Sequence, residues 1–488
     1  MKHVTEPSRD VPVLYEADVV VAGGGIAGTI ATLAAAKHGA RTVVIDRFGQ
    51  LGGNIGPGVW AGGGLLLASD TRGEHYKDAL LNRTGMGGVA EEFHKRAIFA
   101  RPGAEEISRE TRRELAESHY NLPGYRLASG AGMGYMLDSQ VASYTAVEMM
   151  EEAGVQMLLS ARVADAIVEG STVRGVFVET KSGRKAVLGK VVVDATAEAD
   201  VAFRAGAPMA GGKAPNLGVF FAIKDVDWER YQQFVRDNQD ADTEDLEWSH
   251  KHLAMQESEA DPLPGGHHLL SFIRQAWEAG EFQYVRRVDK CEITVMIKSP
   301  CKGILQGRTG TRGEVDFSDA EQVTRMECEH RRQAFEYARF LRKYVPGFEE
   351  SLLLTIAPYM GARGGRIIDA ERPVTRDDVL AARRFDDVIY VYFDERVKVD
   401  CDIPYRMLVP KKIDGLLAAG RSCMIYGPNF RSRWSVMLSA QAAGVAAALC
   451  TSDGVQPREL DVKKLQRALL DMGCPVAEDE RLKDLALA

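Results

Sequence analysis

The sequence predicts an α/β fold: a parallel-sheet domain, discontinuous along the chain, with an α+β segment inserted into it. Three observations carry that prediction. Ala17 to Ala22 (ADVVVA) is a continuous β-branched run, as in a strand buried on both faces, and it leads straight into Gly23-Gly24-Gly25-Ile26-Ala27-Gly28. Thr29 to Gly39 (TIATLAAAKHG) is a small-residue helix closed by glycine, and Arg41 to Asp46 (RTVVID) is a second buried strand that ends in an acid. Far downstream, Val191-Val192-Val193-Asp194 and Leu416 to Arg421 (LLAAGR) again read as apolar strands running into a turn, and the chain between them changes character. The first two observations make one strand, loop, helix and strand unit, which is the Rossmann-like arrangement.

Each part of that unit has a physical reason. Gly23 permits a tight turn, Gly25 lets the backbone approach a pyrophosphate, and Gly28 lets the helix pack close to the strand. The helix start offers free N–H groups and a partial positive charge to phosphates. Asp46 follows at the spacing where a carboxylate binds both ribose hydroxyls, and its charge disfavours a 2′-phosphate. A second glycine-rich stretch follows at once, Arg47-Phe48-Gly49-Gln50-Leu51-Gly52-Gly53-Asn54 and then Gly56 to Gly64 (GPGVWAGGG). Two such loops in succession suggest backbone wrapped along a long ligand. Here the sequence resembles the FAD-binding oxidoreductases of the glutathione-reductase-like class, whose second strand is followed by an L-G-G segment along the cofactor.

The remaining elements read as follows. Residues 65–135 look like a charged, largely helical insertion, with helices over Ala90 to Ala100 and Gly103 to Ser118. A helix over Asp138 to Ala153 is closed by Gly154. Val155 to Leu159, Ala161 to Val168 and Thr172 to Glu179 read as strands, and Val163 on the second joins the candidate cofactor residues. Lys185 to Val193 is a further strand, ending in Asp194-Ala195-Thr196-Ala197-Glu198-Ala199-Asp200. In related flavoproteins a D-A-T-G-D-x-D segment returns to the cofactor's phosphates. This chain carries Ala197 in place of the glycine and Glu198 in place of the first following acid, and keeps Ala195, Thr196 and Asp200. Residues 210–355 hold Trp228, Trp248 and Trp277, half of the histidines and a strand at Cys291 to Ser299, without a nucleotide-binding motif. The His267-His268 pair lacks a third ligand at a sensible spacing, so no metal site is assigned.

The C-terminal part holds an ordered set of motifs: Gly361-Ala362-Arg363-Gly364-Gly365-Arg366, Arg384-Phe385-Asp386-Asp387-Val388-Ile389, DCDIPYRMLVP over Asp400 to Pro410, LLAAGR over Leu416 to Arg421, and LSAQAAGVAAA over Leu438 to Ala448. Together they resemble the FAD-dependent oxidoreductase ("FAD-oxidored") family, from about Ala17 to Leu449. The resemblance implies FAD held by the glycine loop, Asp46, Arg47, Gly52, Gly53, Asn54, Val163, Ala195, Thr196, Asp200, Gly420 and Arg421. It implies an FAD-binding domain over 1–209 and 356–452, a substrate domain over 210–355 and a helical tail over 453–488. The small-residue helix, at Ala442, Ala443 and Gly444, is expected to lie against the flavin. Arg363 and Arg433 are the candidate catalytic residues, because an arginine cannot shed its charge and an inward one calls for an anion. The family often has a histidine shortly after A-G-R; Ser422 to Tyr426 contains none.

Composition bounds the partners. The chain has 488 residues and a formal charge of −8, which argues against nucleic acid. Its seven cysteines include no C-x-x-C, so a disulfide reductase is excluded and a reducing, cytoplasmic setting expected. Met1 to Tyr15 lacks an apolar h-region, and Ala442 to Cys450 falls short of the roughly 20 residues that span a bilayer, so no membrane partner is expected. The expected activity is a dehydrogenase or desaturase that passes a hydride from a small, anionic substrate to flavin N5. The alternative is a flavin-binding electron-transfer subunit. The electron acceptor is open, and a homo-oligomer is compatible with the sequence.

Overall fold

The computed structural model describes residues 3–5, 7–56, 64–65, 85–99, 135–136, 139–238, 242–253, 269–285, 291–293, 297–298, 305–362, 364–394, 399–424 and 433–487. In chain order its main elements are β1 (Val13–Ala22), α1 (Ile26–Lys37), β2 (Thr42–Ile45), α2 (Gly88–Phe99), α3 (Ser139–Glu152), β3 (Gln156–Leu158), β4 (Arg162–Glu169), β5 (Thr172–Thr180) and β6 (Gly183–Asp194). They continue with β7 (Lys213–Lys224), β8 (Leu305–Asp316), α4 (Ala320–Tyr344), β9 (Leu352–Ile356), β10 (Leu416–Ala418), α5 (Arg433–Asp453) and α6 (Val462–Asp471).

The β-branched runs form the centre of the fold. β1 pairs in parallel with β2 on one side and β6 on the other, and β2 pairs in parallel with β3. The long β6 has two neighbours on its outer side. Its first half pairs antiparallel with β5, which continues to β4, and its last residues pair in parallel with β10. At the carboxyl ends the strand order is therefore β3, β2, β1, β6, β10, all parallel. Crevices beyond such ends are where α/β sheets bind ligands. Val19, Val20, Val21, Val43, Val44, Val192 and Val193 are wholly buried, as expected where both sheet faces are covered.

Helices α1 and α5 press against each other. A Cβ on Gly444 would overlap the carbonyl oxygen of Ala31, so the alanine-rich composition of both helices is what lets their backbones meet. Among the described residues α5 is the one helix long and apolar enough to cross a membrane, and most of it is buried in the protein core. The main core draws on residues 17–207 and 368–485. Leu465, Leu469 and Val476 belong to it, so the segment after α5 packs into this core.

Two smaller cores lie in the intervening chain, one around Phe221, Tyr231, Ile273, Phe340 and Phe348, the other around Leu217, Val315 and Met360. Here β7 is flanked by β8 and β9 in an antiparallel sheet, which Gly361–Ala362 also joins. The strand expected over Cys291 to Ser299 appears as two short pieces, Cys291–Ile293 and Ile297–Lys298, both on β8. The predicted helix at Ala90 to Ala100 is α2, while Gly103 to Ser118 lies outside the described residues. Helix α1 begins three residues earlier than the sequence suggested, so Ile26, Ala27 and Gly28 form its first turn.

The antiparallel region buries a titratable group. His330 on α4 is inaccessible, with Nδ1 3.0 Å from the Thr309 hydroxyl, and burial beside the Arg308 charge pulls it down to about 4. In the unfolded chain the ring titrates near 6.5. Between these values the unfolded state binds the extra proton, so this contribution is complete above about pH 6.5 and is lost as the pH falls towards 4. We expect about 2 kcal/mol less stability at pH 5 than at pH 7 from this residue. Urea denaturation at both pH values checks it, and His330→Gln should flatten that part of the slope.

Candidate functional site

The two glycine loops meet at the carboxyl end of β1. Gly23 has φ +99, and a Cβ there would stand 2.5 Å from the Ala195 carbonyl oxygen at the end of β6. A Cβ on Gly28 would overlap the Gly23 carbonyl oxygen, and one on Gly24 would stand 2.5 Å from the Leu51 side chain. These three positions are glycine because the protein itself leaves no room. Gly25 differs. Its φ is −66, ordinary for any residue, and a Cβ there would meet nothing within 4 Å. No side chain caps α1, so its first N–H groups point into the same opening. The space above Gly25 suits a pyrophosphate.

The second loop is fastened to the first. The Gly52 N–H donates to the Gly24 carbonyl at 2.9 Å, and a Cβ on Gly53 (φ +52) would lie 2.9 Å from Gly25 Cα. Asn54 follows, exposed, in a short turn. Buried Asp46 accepts from the Gly24 N–H at 2.6 Å and the Phe48 N–H at 2.7 Å, one on each carboxylate oxygen. Burial raises its pKa while these bonds oppose the rise. Each oxygen keeps a lone pair for a ribose hydroxyl. Arg47 is exposed, with its guanidinium over the rings of Phe48 (4.7 Å) and Tyr359 (5.1 Å). Val163 stands two residues beyond Ala161, whose N–H donates to the Asp46 carbonyl at 2.9 Å.

The end of β6 forms the opposite wall. Asp194 is fully buried and accepts from the Thr196 N–H (3.0 Å), the Thr196 hydroxyl (2.6 Å), the Ala202 N–H (3.0 Å) and the Ser422 hydroxyl (3.3 Å). Burial raises its pKa. Ser422 also receives the N–H groups of Ala197 and Ala199 at 3.1 and 3.3 Å. Both alanines are left-handed, at φ +73 and +50, at about 1 to 2 kcal/mol each. The turn expected to need glycine at 197 is thus held without one, by a serine from the neighbouring turn.

Glu198 explains its own departure from the family pattern. Its carboxylate pairs with the Arg421 guanidinium and accepts the Arg366 N–H at 3.2 Å. The Arg421 guanidinium also donates to the Gly364 carbonyl. The Arg366 side chain donates to the Glu198 carbonyl (2.9 Å) and the Asp200 carboxylate (2.6 Å). Arg366 is therefore an internal brace, and Asp200 faces this arginine. Gly420, at φ +61, abuts the start of α1: a Cβ would be 2.7 Å from Ala27 Cβ and 3.2 Å from the Val436 side chain. Sequence reading missed Ser422, Glu198 as a partner, and Tyr359.

Ala442, Ala443 and Gly444 lie mid-helix in α5, all buried, with Gly444 against α1. At Gly444 the small size serves the packing of α5 on α1. The start of α5 is Arg433, followed by Trp434 stacked on Tyr392 (5.6 Å) and by Ser435, hydrogen-bonded to the Tyr390 hydroxyl at 2.6 Å. Burial draws the Arg433 guanidinium down to about 10, at the helix end that repels cations. Arg363, Gly58, Gly62, Gly63, His267, His268 and Tyr426 lie outside the described residues.

The profile of the family described as FAD dependent oxidoreductase matches residues 18–469. Digeranylgeranylglycerophospholipid reductase 1 of Methanococcoides burtonii is 26% identical over 178 residues, 36% of this chain and 37% of that protein, so the match spans little more than a third of the relative. Among solved structures, a geranylgeranyl bacteriochlorophyll reductase-like protein from Thermoplasma acidophilum aligns over 96% of this chain and 90% of its own, at 12% identity and TM-score 0.41. The p-nitrophenol 4-monooxygenase PnpA of Pseudomonas putida aligns over 97% and 93%, at 14% identity and TM-score 0.42.

The open space at Gly25 yields a sharp expectation. Gly25→Val places its side chain where the protein has nothing, so the apoprotein should melt within a degree or so of wild type. The same side chain fills the pyrophosphate position, so the variant should purify colourless and stay so in excess FAD. Thermal melts and flavin absorbance read the two halves separately.

Proposed function

The chain belongs to the FAD-dependent oxidoreductase family, and from that premise we propose that it oxidises a small anionic organic substrate by removing a hydride. The cofactor domain in this reading comprises residues 1–209 and 356–452, and 210–355 shape the substrate side. FAD, when bound, supplies the two-electron acceptor. Gly23, Gly25, Gly28, the α1 N–H groups and Gly53 cradle its pyrophosphate, and Asp46 holds its ribose. Ala195 and Thr196 line the opposite wall.

Arg433 carries the substrate half of the proposal. It opens α5, and Val436, one turn on, touches Gly420 against the start of α1. Arg433 keeps its charge and stands at the positive end of α5, where a substrate anion is also favoured. We assign Arg433, with Arg363, to holding a carboxylate or carbonyl of the substrate. Fixed there, the substrate presents its C–H bond for hydride removal, and the proton that leaves with the new double bond passes to a base or water. The two electrons then go to an external acceptor: oxygen, a quinone or a separate carrier.

Anaerobic mixing with candidate hydroxy, amino or saturated acids tests the activity, since a true substrate bleaches the flavin without a partner protein. Bleaching that needs a partner would instead favour the electron-transfer subunit. Arg433→Met should keep its FAD and slow reduction by about two to three orders of magnitude, the size of losing one aimed charge donor. An unchanged rate in that variant would move the anion site elsewhere.

A further inference from the structure

Tyr359 is assigned no role by the family motifs, yet it sits against the glycine loops. It lies between β9 and the Gly361–Ala362 strand, so it comes from the antiparallel sheet. Its ring stacks on Phe48 at 4.7 Å and 15°, with the Arg47 guanidinium 5.1 Å from its centroid. Its hydroxyl stands 3.6 Å from the Cβ position of Gly53, the glycine that touches Gly25. The phenol also feels the charges of Arg47, Asp46 and Arg421, three groups of the candidate cofactor site.

The backbone on both sides of Tyr359 is pinned. The Arg331 guanidinium on α4 donates to the Pro358 carbonyl at 2.9 Å, and Glu327 on the same helix accepts the Met360 N–H at 2.8 Å. A long helix thus fixes this one residue against the loop of another sheet. The ring stack accounts for the aromatic ring but not for the hydroxyl. Among the described residues no group hydrogen-bonds it. Burial holds the phenol well above its ordinary titration range, so it stays a neutral donor. The residue is only partly buried, and an anion at the open space of Gly25 would give this hydroxyl a charged acceptor.

We propose that Tyr359 is a cofactor-binding residue, whose hydroxyl donates a hydrogen bond to the pyrophosphate of FAD while its ring fixes Phe48 and Arg47. The inference rests on FAD binding at the glycine loops. It makes the antiparallel sheet a contributor to the dinucleotide cradle.

The test uses the full chain stripped of flavin, with FAD titrated back by fluorescence quenching. Tyr359→Phe keeps the stack and removes only the hydroxyl. It should melt like wild-type apoprotein and bind FAD about ten- to a hundredfold more weakly, as expected for losing a hydrogen bond to a charged group. Tyr359→Ala removes ring and hydroxyl, and should weaken binding further and lower the apoprotein melting temperature. If Tyr359→Phe binds FAD like wild type and only Tyr359→Ala is impaired, the residue is packing and the proposal falls. If wild type itself takes up no FAD, it is the cofactor reading that fails.

Discussion

The architecture depends on main chain passing main chain with no side chain between. The Gly23 turn runs against Ala195 at the end of β6, α1 rises across the Gly23 carbonyl at Gly28, and α5 crosses α1 at Gly444. These contacts join strand, loop, helix and second helix into one stack. Glycine is required because any Cβ would push two backbones apart, and a packed interior transmits such a displacement instead of absorbing it. Gly25 stands within this stack and is free of it. Nothing in the protein requires its missing side chain, which sets it apart from the structural glycines of the same motif.

Buried acids hold the cradle's walls. Asp46, Asp194 and Glu198 are each pushed towards the neutral form by burial, and each is met by N–H groups, hydroxyls or an arginine. A buried carboxylate is tolerable only when so partnered. Asp46 ties the first loop to the segment after β2, Asp194 ties β6 to the turn after β10, and Glu198 ties that turn to Arg366. These walls are held by the protein's own bonds, which under the proposed function would lower the ordering cost of binding.

Much of this was legible in the sequence because it is local. The strand, glycine loop, helix and acid lie within thirty-odd residues, and their spacing encodes their geometry. What escaped is long-range. Ser422 reaches Ala197 and Asp194 from more than two hundred residues away, and Glu198 meets Arg421 across a similar gap. No periodicity marks such pairs. The substitutions at 197 and 198 were visible as departures, but their compensation was not. The alanine-rich stretch of α5 is ambiguous for another reason: a helix packed on a flat ring and one packed on another helix call for the same small residues, and the coordinates show α1 against Gly444.

The contribution of Tyr359 bears on how the two sheets act together. If the dinucleotide is gripped only by the parallel sheet, the antiparallel region can shift without disturbing it. Under the proposed contact, a phenol fixed by α4 and stacked on Phe48 would end that independence, because moving the antiparallel sheet would then move a cofactor contact. The linkage is reciprocal: whatever favours one position of Tyr359 favours cofactor binding, and a bound cofactor favours that position of the sheet in equal measure. A substrate resting against the antiparallel sheet would therefore be sensed at the pyrophosphate, by way of the one residue that the glycine motif does not contain.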